Sequence, residues 1–216
     1  MNKRLITGLL LGATLLPMLQ GCFPLVAAGV TTGVLATMDR RSIGSQTEDE
    51  TIEWKASARV SEKFGEKAHV NYTSFNRKVL LTGEVPTAEV KAEVERIVTA
   101  VPNVQGIYNE LAVSGITSFS ARSNDAYITS KVKARFIDTG KFNAVHVKVV
   151  SEAGAVYLLG LVTQREADVA VEVARTTSGV MKVINVMEII TDAKAKELDL
   201  PPPDKSKQPD PGAPRG

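Results

Sequence analysis

One cysteine, one tryptophan and two histidines are the whole supply of those residue types in this 216-residue chain. A lone cysteine excludes an intramolecular disulfide, whatever the redox state of the compartment. It also excludes the thiolate cluster of a structural zinc site. With only His69 and His146 as imidazoles and no Gly-x-Ser-x-Gly elbow, the parts of a nucleophilic hydrolase are missing. A phosphate-cradling glycine loop is missing too, because Gly83 and Gly160 stand alone inside strand-like runs. Charge of one sign is equally scarce. The chain has 26 Lys+Arg against 24 Asp+Glu, and Lys3 and Arg4 account for the entire excess. Without them 24 positive charges face 24 negative ones, so no broad field is available for a nucleic acid. We expect no enzymatic activity, no metal and no cofactor. The 44% hydrophobic and 23% charged composition is that of an ordinary globular protein.

Lys3 and Arg4 precede an apolar stretch from Leu5 to Leu16, then Leu19-Gln20-Gly21-Cys22. A short basic region, a short apolar core and small residues before a cut describe a secretory leader over 1–21. The ending resembles the bacterial lipobox, which implies removal of the leader and acylation of Cys22. Several acyl chains hold firmly where one is marginal, at about 0.8 kcal/mol per buried methylene. Phe23 follows the cysteine, not the Asp that favours inner-membrane retention in lipoproteins of this type. The resemblance therefore implies the periplasmic face of an outer membrane. Residues 22–51 read as a lipidated tether, with small apolar residues first and polar ones after. Residues 191–216 hold six of the ten prolines and read as a disordered tail.

Between these ends the chain repeats itself. A shift of 77 pairs His69 with His146, Val79 with Val156, Leu81 with Leu158, Gly83 with Gly160, Val85 with Val162 and Glu89 with Glu166. In all, eleven of 31 positions match without a gap. One residue fewer carries the register on to Asn109 and Asn185, and a shift of 72 upstream pairs Val60 with Val132 and Phe64 with Phe136. The fold class expected is α+β: two tandem modules over 52–113 and 124–190, joined by a linker over 114–123.

Each module reads helix, strand, strand, helix, strand. In the second, Ser123 or Asn124 caps a helix whose Ile128, Val132 and Phe136 recur every four residues, and Asp138-Thr139-Gly140 stops it. Val145, Val147 and Val149 alternate as a strand, Glu152-Ala153-Gly154 turns, and Val156 to Val162 returns. Gly160 marks a bulge or a close backbone approach. Thr163 and Glu166 form a capping box, and Val183 to Ile190 is the last strand. The strand–helix–strand step makes each three-stranded sheet mixed, with both helices on one face. Glu89 and Glu166 are therefore helix-capping acids, and the two histidines share a structural role at strand starts. Modules of this size have marginal cores, so they should pack on each other or on a partner.

The strand motif Val-x-Leu-x-Gly-x-Val (79–85 and 156–162), and a segment ending Val-x-x-Ile-x-Asn at 104–109, resemble BON domains. Behind a lipobox, two such modules are similar to the dual-BON outer-membrane lipoproteins, over essentially all of 22–190. That resemblance implies a protein of envelope integrity that binds phosphatidylglycerol and cardiolipin through its second module and gathers at division sites.

Geometry gives the second module's first helix a face suited to this. With Ile128, Val132 and Phe136 inward, Tyr127, Ser130 and Ala134 point outward, flanked by Lys131 and Lys133, with Arg135 nearer the core boundary. An aromatic ring among small residues and lysines suits the headgroup region of a bilayer. These six residues, Tyr127, Ser130, Lys131, Lys133, Ala134 and Arg135, are the candidate lipid site. The family resemblance maps its phospholipid contact here, with a Trp where this chain has Tyr127. A solvated face, or Tyr127 packed on the first module, is the plain alternative. Trp54 of the first module is expected to dock on the second. The rival function is a scaffold for outer-membrane assembly or peptidoglycan-remodelling factors.

Overall fold

The computed structural model describes residues 39–200. The leader, Cys22 and residues 201–216 lie outside them. Two αββαβ modules follow one another: α1 (Ile43–Phe64), β1 (His69–Phe75), β2 (Lys78–Val85), α2 (Ala88–Thr99), β3 (Gly106–Asn109) and β4 (Ala112–Val113). The second comprises α3 (Phe119–Thr139), β5 (Val147–Glu152), β6 (Ala155–Val162), α4 (Gln164–Arg175), β7 (Lys182–Asn185) and β8 (Glu188–Ile189). A last helix, α5 (Asp192–Asp199), closes the described chain.

In each sheet the hairpin is antiparallel and the return strand is parallel, along the other edge of β2 or β6. This is the mixed sheet expected, but its third strand is broken in two. The repeat-equivalent asparagines explain the break. Asn109 Oδ1 accepts the Leu111 N–H at 3.3 Å, and Asn185 Oδ1 accepts the Met187 N–H at 3.0 Å. Each local bond competes with the ladder and turns the next apolar side chain into the core. Leu111 is buried there.

Ile52, Ala56 and Val60 of α1, four residues apart, pack with Val79, Leu81 and Val85 of β2. Ile128, Val132 and Phe136 of α3 do the same with Val156, Leu158 and Val162. The hairpin tips are tied down by a carboxylate from the first helix. Asp125 accepts the Ala153 and Gly154 N–H groups at 2.9 and 2.8 Å. Asp49 accepts those of Asn76 and Arg77 at 2.8 and 2.7 Å. Both tips have positive φ at two successive residues, the twist a tight hairpin needs.

The residues between the motif positions form a third core. Leu80 and Phe75 from one sheet meet Tyr157, Leu159 and Val186 from the other. The sheet faces without helices therefore pack on each other, so each module's marginal core is completed by its twin. Polar pairs border the seam, including Lys78–Glu188 at 2.9 Å and Asn71 Nδ2 to Glu152 at 2.9 Å. Burial raises the Tyr157 hydroxyl to a pKa of about 12, with Glu110 and Glu152 adding to the shift.

Four boundaries are corrected. Helix α1 begins at Ile43, with Ser42 Oγ capping Ser45 N–H at 3.0 Å, so the tether ends well before residue 51. Helix α3 begins at Phe119 on the Ser118 cap, not at Ser123 or Asn124, because helix-compatible residues run back through the expected linker. Val145 sits in a single 3-10 turn (Ala144–His146), not in the strand. Residues 192–199 of the expected tail are helical, with Thr191 Oγ1 capping Lys194 N–H at 3.2 Å.

The two ends of the described chain meet at Arg40. Its guanidinium pairs with Glu166 at 2.7 Å and with Asp199 at 2.8 Å, and donates to the Leu161 carbonyl at 2.9 Å. Only 6% of Arg40 is exposed. Burial alone would make it a weaker base, but the hydrogen bonds to Asp199 and Glu166 outweigh that and raise its pKa. Glu166 thus does more than close the expected capping box, which is present with Thr163. His146 lies beside this cluster, 3.6 Å from Asp199 and 3.9 Å from Glu166. Its repeat twin His69 is more exposed and bonds Glu84 at 2.9 Å. The two histidines hold equivalent places, each with its carbonyl against a motif glycine, but their side chains differ, since α5 and Arg40 reach only His146.

Candidate functional site

Helix α3 is held against its module by Ile128, Val132 and Phe136 and is stopped by the left-handed Gly140. That fixes what its far side presents. Tyr127 is 62% exposed, so it is not packed on the first module, and Ser130 and Ala134 are exposed beside it. The longer helix adds Phe119, expected in the linker, and the helix end adds Ile137, which was assigned no face. Phe119 is 79% exposed and Ile137 is 70% exposed. On a helical wheel both fall within a quarter turn of Tyr127. Phe119 and Ile137 are separated by about 27 Å along the axis, at 1.5 Å per residue. An outward Phe just after Ser118 was the signal available in the sequence.

The four cations on α3 or its flanks differ in what they do. Lys131 Nζ lies 4.6 Å from the Tyr127 ring centre and donates to the Ser178 carbonyl, which holds the aromatic and the α4–β7 turn together. Lys133 is exposed and has no hydrogen bond or ion pair among the described residues. Arg122 is also exposed, but it lies about 140° round the helix from Tyr127 and lines a cleft with Asn71 and Glu152. Arg135, expected nearer the core boundary, is half-buried there. It donates to the Val173 carbonyl at 2.9 Å and to Thr177 Oγ1 at 2.8 Å, satisfying the end of α4. Of the six candidates, five share the outer surface, and Arg135 belongs to the fold.

No helix among the described residues is long and apolar enough to cross a membrane. Trp54, expected to dock between modules, is instead 72% exposed on α1. Among the described residues, nothing covers Trp54 on α1 or Tyr127 on α3.

Residues 49–115 and 124–191 each match the model of the BON domain. The chain belongs to the BON-domain family. It is similar to the outer membrane lipoprotein DolP of Haemophilus influenzae, with 41% identity over 184 residues, covering 84% of this chain and 94% of that protein. It is also similar to a 21 kDa hemolysin of Actinobacillus pleuropneumoniae, with 34% identity over 155 residues, covering 71% of this chain and 80% of that one. Among solved structures, the C-terminal domain of CdsD from Chlamydia trachomatis, a structural protein of its type III secretion system, aligns with a TM-score of 0.28 at 12% identity. It covers 62% of this chain and 96% of its own, a likeness too slight to carry an argument. This BON chain is accordingly an outer-membrane, lipid-anchored protein, as the lipobox reading expects.

Proposed function

We propose that this BON protein is a non-enzymatic reader of anionic phospholipid, facing the periplasm from the outer membrane. Its contact is the outer face of α3, and its ligands are phosphatidylglycerol and cardiolipin. The observation that carries the reading is the set Phe119, Tyr127 and Ile137, all exposed on one helix face with Lys133 beside them. Apolar side chains at headgroup depth with an adjacent ammonium suit an anionic interface.

Magnitudes define the role. Each lysine near an anionic surface contributes about 1 kcal/mol before screening, so Lys131 and Lys133 give about 2 kcal/mol. Charge alone would not hold a free protein to a membrane; Phe119, Tyr127 and Ile137 add the apolar part of a weak contact, and beside an acyl anchor the effective concentration is high and that contact selects lipid composition. Enrichment at division sites and support of envelope integrity would follow from that selection.

Co-sedimentation with liposomes tests it, using residues 23–216 so that Arg40 and Arg41 are kept. Tyr127→Ala and Lys133→Glu are each expected to weaken binding to phosphatidylglycerol vesicles by about tenfold, the equivalent of ~1.4 kcal/mol. Binding should fall with salt, and zwitterionic vesicles should bind neither parent nor variant. Equal binding by parent and both variants would assign the envelope role to a protein-binding surface instead.

A further inference from the structure

Where the two modules meet, a groove of about 590 Å³ opens at the rim of the seam. Phe75 comes from the first module, and Ile137, Phe142, Ala144, Val145 and Val147 from the second, forming an apolar floor. The rim carries Arg41, Lys133 and Lys148 against one carboxylate, Asp39. We propose that this groove binds a single-chain anionic amphiphile, one acyl chain under a phosphate head, with Lys133 and Lys148 on the phosphate.

The polar atoms of the wall favour this occupant. Asp39 is committed to Arg41 at 2.7 Å, and Arg41 also pairs with Asp49 at 2.8 Å while lying 4.1 Å above the Phe75 ring. Asn143 Oδ1 already accepts the Val145 N–H at 3.1 Å. What the wall offers a newcomer is therefore apolar surface and lysine charge. Lys133 has no partner among the described residues, and Lys148 has only a long contact to Glu53 at 3.5 Å. Val145 is 46% exposed over the opening, although its neighbours His146 and Val147 are buried. The volume falls within the ~300–1,000 Å³ typical of small-molecule sites, which favour the junctions of domains.

The groove adjoins the outer face of α3 but is centred on Phe75 and residues 142–148. It shares Lys133 and Ile137 with that face, but Tyr127 is not in its wall. Adsorption to a bilayer and capture of one amphiphile can therefore fail independently.

The experiment is a 15N–1H NMR titration of the mature sequence carrying Cys22→Ser, with lysophosphatidylglycerol kept below its micelle concentration. Saturable 1:1 shifts at Phe75 and across residues 142–148 are expected. Val145→Trp, which fills the opening, and Val145→Asp, which sets a charge against the phosphate, should each weaken binding at least tenfold. Tyr127→Ala should bind like the parent. Lysophosphatidylcholine should bind several-fold more weakly, and glycerol 3-phosphate should leave the groove unshifted. Each variant's amide spectrum reports its fold, and the two substitutions place opposite demands on it. Shifts confined to Tyr127, Ser130 and Ala134 would overturn the proposal, as would an equal response to glycerol 3-phosphate. Shifts that depend on protein concentration without lipid, lost in Val145→Trp, would assign the groove to a second copy and overturn it too.

Discussion

Replacing Arg40 by Ala is expected to destabilise the folded body by about 3 kcal/mol, the lower end of what removing one partner of a buried ion pair costs. The lower end applies because the Asp199 side chain is 41% exposed and can rehydrate, whereas Glu166 is only 10% exposed. Glu166 would keep the Thr163 N–H but lose the guanidinium. For a body of this size that corresponds to a fall in Tm of roughly 6–12 °C, readable by thermal circular dichroism. The double change Arg40→Met with Glu166→Gln should recover part of the loss, because no uncompensated charge is left buried at Glu166. The acid limb of stability carries the same signature. Burial pushes Glu166 up, but Arg40 outweighs it and holds the carboxyl below its ordinary range; Arg40 lowers Asp199 as well. Their contribution is therefore complete above the unfolded carboxylate value near ~4 and is lost as pH falls through the lowered folded values. In Arg40→Ala that acid-dependent component should largely vanish, so parent and variant converge in strong acid.

The second large effect lies at the two motif glycines, and the two should differ. A Cβ on Gly83 would sit 2.1 Å from the His69 carbonyl oxygen, and on Gly160 it would sit 2.3 Å from that of His146. These obstacles are backbone atoms within the hairpins, so no rotamer change relieves them. Gly83 also has φ +111°, a conformation L side chains rarely adopt, whereas Gly160 has no such strain. Gly160→Ala is expected to cost about 3 kcal/mol and Gly83→Ala more than that, measured as shifts in the urea midpoint. Because Leu80 and Leu159 belong to one shared core, unfolding should remain a single transition in both variants. Two separated transitions would mean that the seam couples the modules weakly.

These glycines also mark how much could be read in advance. The repeat, the helix register of Ile128, Val132 and Phe136, the Thr163 capping box and the close approach at Gly160 were legible, because each depends on local pattern. The positions between motif residues were not. Leu80, Tyr157 and Leu159 lie in central strands buried on both faces, where alternation no longer separates inside from outside. Arg40 was hidden in a segment that composition marked as tether, and only folding brings it to Glu166, 126 residues away. Helix α5 had a local signal, Thr191-Asp192 ahead of Ala, Lys and Glu, that the prolines after Leu200 obscured. At the candidate site the outward face of α3 was readable from helical geometry. The fate of Arg135 was not, since the carbonyl it satisfies belongs to a helix 38 residues on.

The Arg40 clasp also sets a path for mechanical load. A pull applied through the chain ahead of Asp39 would be shared between the second module, through Arg40 on Glu166 and Leu161, and the first, through the Asp39–Arg41–Asp49 chain of ion pairs. Arg41, held by Asp39 and Asp49, would take its share in parallel with Arg40. Tension between the envelope and its anchored lipoprotein would thus be divided between the two modules at the first described residues, before it reaches either sheet.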